Sequence, residues 1–237
     1  MSAWTLLLRL EGPMQSWGTG SRFDDRGTGL EPSKSGVIGL LCAAMGVSRR
    51  DDATVAALAA LEMLVRVDRQ GTLRTDFVTI GGGRWRGRRY GAARASGGTP
   101  GPAVSRRAYL ADASFLVGLG GRDAALLWRA ARGLASPVWP LSLGRKSYVP
   151  SAPIGVRAEP VAGRPWEAIA RTPWGPGDEQ RRLVVEVAPD GGGVPRDDVP
   201  LSFGRGERLY GRRYVRDVLL GAAPGQGAVL IPRGLPR

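Results

Sequence analysis

The chain has no histidine, a single cysteine and only two lysines, Lys34 and Lys146, in 237 residues. Each shortage closes off a class of chemistry. Without histidine there can be no histidine-based triad and no histidine-liganded metal site, and the commonest general acid or base is missing. One cysteine cannot form an internal disulfide, and no cysteine cluster is present to hold zinc. Cys42 sits in "GVIGLLCAAMG" and reads as a small buried hydrophobe rather than a reactive thiol. No apolar run approaches the ~20 residues that span a bilayer, and "WTLLLRL" opens the chain without a secretory leader pattern. A cytoplasmic protein with no membrane partner is expected. Acidic residues are absent from one long stretch, Phe77 to Ala111, where Arg84, Arg86, Arg88, Arg89, Arg94, Arg106 and Arg107 supply seven positive charges.

What is present is a globular composition, 43% hydrophobic, enough for one large domain or two small ones. A net charge of +13 and a pI near 11.2 favour a polyanionic partner. "WTLLLRL" reads as a buried strand ended by Gly12 and Pro13, followed by a polar loop as far as Pro32. From Ser33 as N-cap, Val37, Ile38, Leu41, Ala44 and Met45 recur at helical spacing up to a stop at Gly46. Asp51 and Asp52 can cap a second helix reaching Glu62, and "MLVRVD" alternates as a strand. "ASFLVGLGG" is a buried strand and "RDAALLWRAARGL" an amphipathic helix. Beyond Pro137 strand signals are found only at "RRLVVEV" and "RLYGRRYV". No internal repeat is visible.

Several motifs fail their own tests. "GLGGRD" lacks the third glycine of a dinucleotide loop, and no acid between Asp123 and Glu159 could hold a ribose. "PSKSG" has no Walker-A spacing, although Lys34 and Ser35 at a helix N-terminus would suit a phosphate. The pairs Asp24-Asp25, Asp51-Asp52 and Asp197-Asp198 read as caps and loop residues, and no pattern of convergent acids supports a two-metal nuclease. No cofactor is expected. The basic stretches carry more information. Trp85 and Tyr90 interleave with arginines, the mixture that suits single-stranded RNA. A second run places Arg145, Lys146, Ser147 and Tyr148 in one loop, and a third adds Arg205, Arg208, Tyr210, Arg212 and Arg213.

Four ordered blocks, "LLLRLEGPMQSWG", "PSKSGVIGLLCAAMG", "RRAYLADASFLVGL" and "PLSLGRKSYVPSAPI", resemble the CasD family, the fifth family of CRISPR-associated proteins in its type I-E Cascade form. The resemblance implies an α+β, modified ferredoxin-like fold of the RAMP superfamily, related to the RRM, with an inserted β-hairpin thumb. Residues 1–150 would form that domain, with the thumb at about 70–111, and residues 151–237 an irregular, degenerate β-rich region packed on it. It also implies a non-catalytic subunit that holds the 5′ handle of the guide crRNA, with the CasC backbone subunit, the large subunit CasA and other Cascade subunits as neighbours. Target DNA would be met indirectly. Carried over by position, Gln15, Ser16, Trp17, Gly18 and Arg22 with Lys34 and Ser35 should line the handle groove. Arg84, Trp85, Arg86, Arg88, Arg89 and Tyr90 belong to the thumb, Arg106, Arg107 and Tyr109 to its return, and Arg145, Lys146, Ser147 and Tyr148 to the later loop. C-subtype relatives cut precursor RNA with a Tyr, Lys and His set. Tyr148, Lys146 and Tyr109 are present here without a histidine, which leaves metal-independent endoribonuclease activity as the alternative.

Overall fold

The computed structural model describes residues 3–18, 21–22, 25–92, 101–174, 180–204 and 208–221. Strand β1 (Trp4–Glu11) is apolar on both sides because it lies inside the sheet. Leu6, Leu8 and Leu10 face one core, and Leu7 faces a second on the opposite side. Three short strands follow, β2 (Met14–Gln15), β3 (Ser21–Arg22) and β4 (Asp25–Arg26), where the sequence suggested only a loop. Helix α1 (Lys34–Met45) starts at N-cap Ser33, whose hydroxyl accepts the Gly36 N–H, and stops at Gly46 in the left-handed conformation, φ 68°. Asp51 caps α2 (Asp52–Ala59) by accepting from the Thr54 N–H at 3.0 Å. The helix ends short of Glu62 because that residue opens β5 (Glu62–Arg69).

Between β5 and β9 (Ser114–Gly121) the chain leaves the core as β6 (Thr72–Trp85), β7 (Arg88–Gly91) and β8 (Ala103–Ala111). Helix α3 (Ala124–Ala135) is capped by Asp123, which accepts from the Leu126 N–H at 2.9 Å. The remaining elements are β10 (Val161–Ala162), α4 (Pro165–Arg171), β11 (Gln180–Val187), β12 (Val194–Ser202) and β13 (Leu209–Gly221). The large sheet runs β10-β1-β9-β5-β11-β13-β12, with every neighbouring pair antiparallel. Its first four strands, numbered by their order along the ferredoxin-like repeat, stand 4-1-3-2, the fourth reduced to two residues. The chain therefore has the modified ferredoxin-like fold expected of it, with α1 to α3 on one face of the sheet.

The C-terminal strands continue this sheet through β11 on β5, with Leu183 opposite Arg66, and the β12–β13 pairing carries two register shifts. Three of the elements there were not foreseen, the two-residue β10 among them. Strand β12 carries Pro195 and Pro200, which are tolerated because it is the edge of the sheet. Helix α4 begins with Pro165 at its first turn and covers the opposite face with Ile169. The "GLGG" motif receives that helix: a Cβ on Gly120 would lie 2.3 Å from Pro165 Cγ. Arg66, fully buried, donates to the carbonyls of Ile169 and Thr172 and pairs with Asp68 at 2.6 Å, so it ties off the end of α4. No described helix is long and apolar enough to cross a membrane.

Candidate nucleic-acid interface

The acid-free stretch folds as a hairpin in two parts. At the base, β6 pairs with β8 without a break from Thr72 opposite Ala111 to Ile80 opposite Ala103. Beyond it, β6 pairs instead with β7, Trp85 lying opposite Arg88. The joint needs glycine: Gly81 has φ 72°, and a Cβ there would lie 2.2 Å from Gly91 Cα. Arg86 and Gly87 close the tip with φ values of 50° and 78°, the left-handed pair that suits a two-residue hairpin turn. The Arg86 guanidinium lies 4.5 Å over the Trp85 ring. Trp85 is 66% exposed and Tyr90 53%. Arg84, Arg86, Arg88 and Arg89 are also exposed, and no ion pair engages them among the described residues.

Side chains alternate across β8, so Arg106 and Arg107 point to opposite faces. Arg106 lies 5.7 Å over the Phe77 ring, whereas Arg107 shares a face with Tyr109. The Tyr109 ring is 6.0 Å from that of Tyr148, tilted at 54°. Arg145 donates to the Tyr148 hydroxyl at 2.8 Å and to the Arg26 carbonyl at 3.2 Å, and β4 lays Arg26 beside Arg107. Arg26, Arg107, Tyr109, Arg145 and Tyr148 are thus brought to one place from three segments. Lys146 and Ser147 are exposed in the same loop. The loop is held by Ser16 N–H donating to the Leu143 carbonyl at 3.0 Å and by Gly144, where a Cβ would lie 1.8 Å from the Ser16 oxygen.

The expectations for residues 15–35 need correction. Gln15 and Trp17 are buried: the Gln15 amide donates to the Leu10 and Ala113 carbonyls and accepts from the Trp17 indole at 3.2 Å. The Ser16 hydroxyl donates to the Ala108 carbonyl. These side chains fasten the thumb and loop to the core, and only Gly18 of the four is exposed. Lys34 is 4% exposed and pairs with Glu186 at 2.9 Å. Its N–H donates at 2.8 Å to Asp198, so a carboxylate of the chain already occupies the helix end proposed for phosphate. Ser35, half-buried, lies 3.5 Å from the Ser33 hydroxyl. Tyr148 is buried with its hydroxyl engaged. Arg94 and Arg205 lie outside the described residues, and only the backbone of Arg22 is described.

Asp197 and Asp198 are strand residues rather than loop residues, although Asp198 also accepts the Lys34 N–H at the start of α1. Asp198 binds Arg213 through both oxygens, at 2.6 and 2.8 Å, and Asp197 binds Arg212 at 2.7 Å on the opposite side. Burial pushes the Asp198 carboxyl upward, but the Arg213 bonds and charge and the Lys34 N–H outweigh it and hold the group below the usual carboxylate range. Glu31 binds Arg182 and Arg196. The third basic run thus spends Arg213 inside the fold and Arg212 in an exposed ion pair, while Arg208 and Tyr210 remain exposed. No sequence signal singled out Arg26, whose place depends on strand register.

A 4-1-3-2 ferredoxin-like sheet with an arginine-rich hairpin between its second and third strands defines a RAMP-type fold with a thumb. The family model described as CRISPR-associated protein (Cas_Cas5) matches residues 5–216, and the chain belongs to that family. It is similar to the CRISPR system Cascade subunit CasD of Escherichia coli (strain K12), 44% identical over 64 residues, or 27% of this chain and 29% of the relative's length. In structure it is similar to a chain of a CRISPR RNA-guided surveillance complex, with TM-score 0.78, 35% identity and coverage of 94% and 95% of the two chains. A crystal structure of a Cas protein superposes with TM-score 0.71 and 40% identity over 93% of this chain and 99% of that one.

Proposed function

We propose that the chain is a non-catalytic RNA-holding subunit of a type I-E CRISPR Cascade surveillance complex, which grips the 5′ handle of the crRNA and caps the CasC backbone next to CasA. One observation carries this reading. The arginines of β11 to β13 are largely neutralised by Glu31, Glu186, Asp197, Asp198 and Asp217, whereas those of the thumb tip project beside exposed Trp85 and Tyr90 with no ion pair among the described residues. Guanidinium groups bind phosphates and the aromatic faces take up unstacked bases. Arg107, Tyr109 and Arg145, grouped around buried Tyr148, continue the surface at the thumb's base, with exposed Lys146 in the same loop. This grouping supports holding rather than cutting, since the Tyr148 hydroxyl is buried against Arg145 and the chain has no histidine to relay a proton.

Binding of crRNA should weaken linearly on a log-log plot against salt. Replacing Arg84, Arg86, Arg88 and Arg89 by alanine should flatten that slope by about 0.7 for each lost phosphate contact. An unchanged slope and affinity would refute the assignment. Incubation with labelled repeat RNA should leave it intact; cleavage abolished by Lys146→Ala would establish the endoribonuclease alternative.

A further inference from the structure

We propose that the open edge of β6, from Thr72 to Ile80, receives an extended strand from a protein partner, so that the thumb binds RNA on one side and protein on the other. Among the described residues, β6 is paired over this span on one side only, by β8, since its pairing with β7 is confined to Gly81–Trp85. No other described strand reaches it. An antiparallel edge turns the N–H and C=O of alternate residues outward, and another polypeptide strand matches that pattern.

The two sheets treat their edges differently. In the large sheet, edge strand β12 is blunted by Pro195 and Pro200 and by two register shifts. Residues 72–80 contain no proline, glycine or lysine, their register is unbroken, and every residue but Val78 is exposed. The side chains fit the same occupant. Leu73 and Phe77 alternate on the face they share with Val104 and Arg106, and Leu73, Phe77 and Val104 are 57%, 65% and 52% exposed. Arg106, over Phe77, has no ion pair among the described residues and lies within the acid-free stretch. The matching strand therefore carries apolar residues at alternate positions and a carboxylate opposite Phe77, on the face over which the Arg106 guanidinium reaches. Arg107 and Tyr109 point the other way, toward Arg145 and Tyr148.

This inference rests on the chain being a subunit of an RNA-guided complex, and hydrogen exchange of the full chain, alone, with crRNA and in the reconstituted complex, tests it. Alternate amides of 72–80 should exchange freely in the chain alone and with crRNA, then slow at least about tenfold in the complex. The Leu73→Ser/Phe77→Ser double variant should keep its thermal midpoint and bind crRNA within about twofold of the parent, yet lose about tenfold or more in partner association. Four results would overturn the inference: protection in the free chain at all concentrations, protection that grows with its concentration and marks self-pairing, protection by crRNA alone, or free exchange in an assembled complex. The last would leave the proposed function standing, whereas failure of the parent chain to join any complex would remove both.

Discussion

Asp197 and Asp198 are neighbours in sequence, both bind arginines, and their removal should have very different consequences. Arg212 and Arg213 are successive residues of β13 and face opposite sides of the sheet, and each holds one of the two carboxylates on its own side. Asp197 and Arg212 are 61% and 57% exposed, whereas Asp198 and Arg213 are 9% and 11% exposed. Asp198→Ala removes both Arg213 bonds and orphans the Lys34 N–H at the start of α1. Breaking a buried pair costs about 3–5 kcal/mol, and because Arg213 keeps Glu186 at 2.9 Å the lower end applies, about 3 kcal/mol. At about 2–4 °C per kcal/mol for a chain of this size, the thermal midpoint should fall by roughly 6–12 °C. Asp197→Ala should leave it within experimental scatter, as exposed pairs contribute little. The Asp198 carboxyl is held below its unfolded value, so its contribution is complete above the ordinary carboxylate range and is lost as pH falls through the folded value. Differential scanning calorimetry of both variants near neutral pH and again under acid should show a gap that closes under acid. Equal midpoints for the two variants, or a gap that persists after Asp198 is protonated, would refute the argument.

Burial, and then the Glu186 carboxylate, raise the Glu62 carboxyl above its usual range. The native state therefore pays for its ionised form, and Glu62→Gln should raise urea stability near neutral pH, a gain that disappears as pH falls through the folded value. Gly81→Val places a side chain at a left-handed position against the Gly91 backbone; it should hasten proteolysis at the thumb tip and weaken crRNA binding, with little change in the core's thermal midpoint. Burial pushes the Cys42 thiol up to about 11, so thiol reagents near neutral pH should label it only when denaturant is added.

Most of the ferredoxin-like core was legible because its signals are local. Ser33, Gly46 and Asp51 mark helix ends where they were expected, and the buried strands announce themselves as unbroken apolar runs. What escaped was set by tertiary partners. Strands β2 to β4 are two residues each; β2 and β4 exist because β8 offers them an edge, and β3 pairs in turn with β4. Strand β12 looks like a loop until its place at the sheet margin makes its prolines harmless. Among site residues, composition located the thumb's arginines but could not separate charges that project outward from those consumed within the fold. Lys34 illustrates the difficulty: a lysine between serines at a helix start suits a phosphate, yet Glu186, 152 residues away, takes its ammonium.

The pairing of charges also gives the net +13 a direction. An arginine bound to a carboxylate adds little to the long-range field, because the pair is neutral beyond its own dimensions. The sheet formed by β11 to β13 is rich in arginine but contains many such pairs, so its guanidinium groups act as geometric ties between β12, β13 and α1. The acid-free stretch has no described ion pair at the thumb tip, and there the excess charge faces solvent on a projecting hairpin. A polyanion approaching the molecule should therefore be drawn first to the tip and along the Arg107 face toward Arg145, which orders the encounter before any specific contact forms. Reversing the asymmetry tests this argument: removing Asp197 frees Arg212 on the sheet and should slow productive crRNA association by offering a competing site, while equilibrium binding at the thumb stays the same.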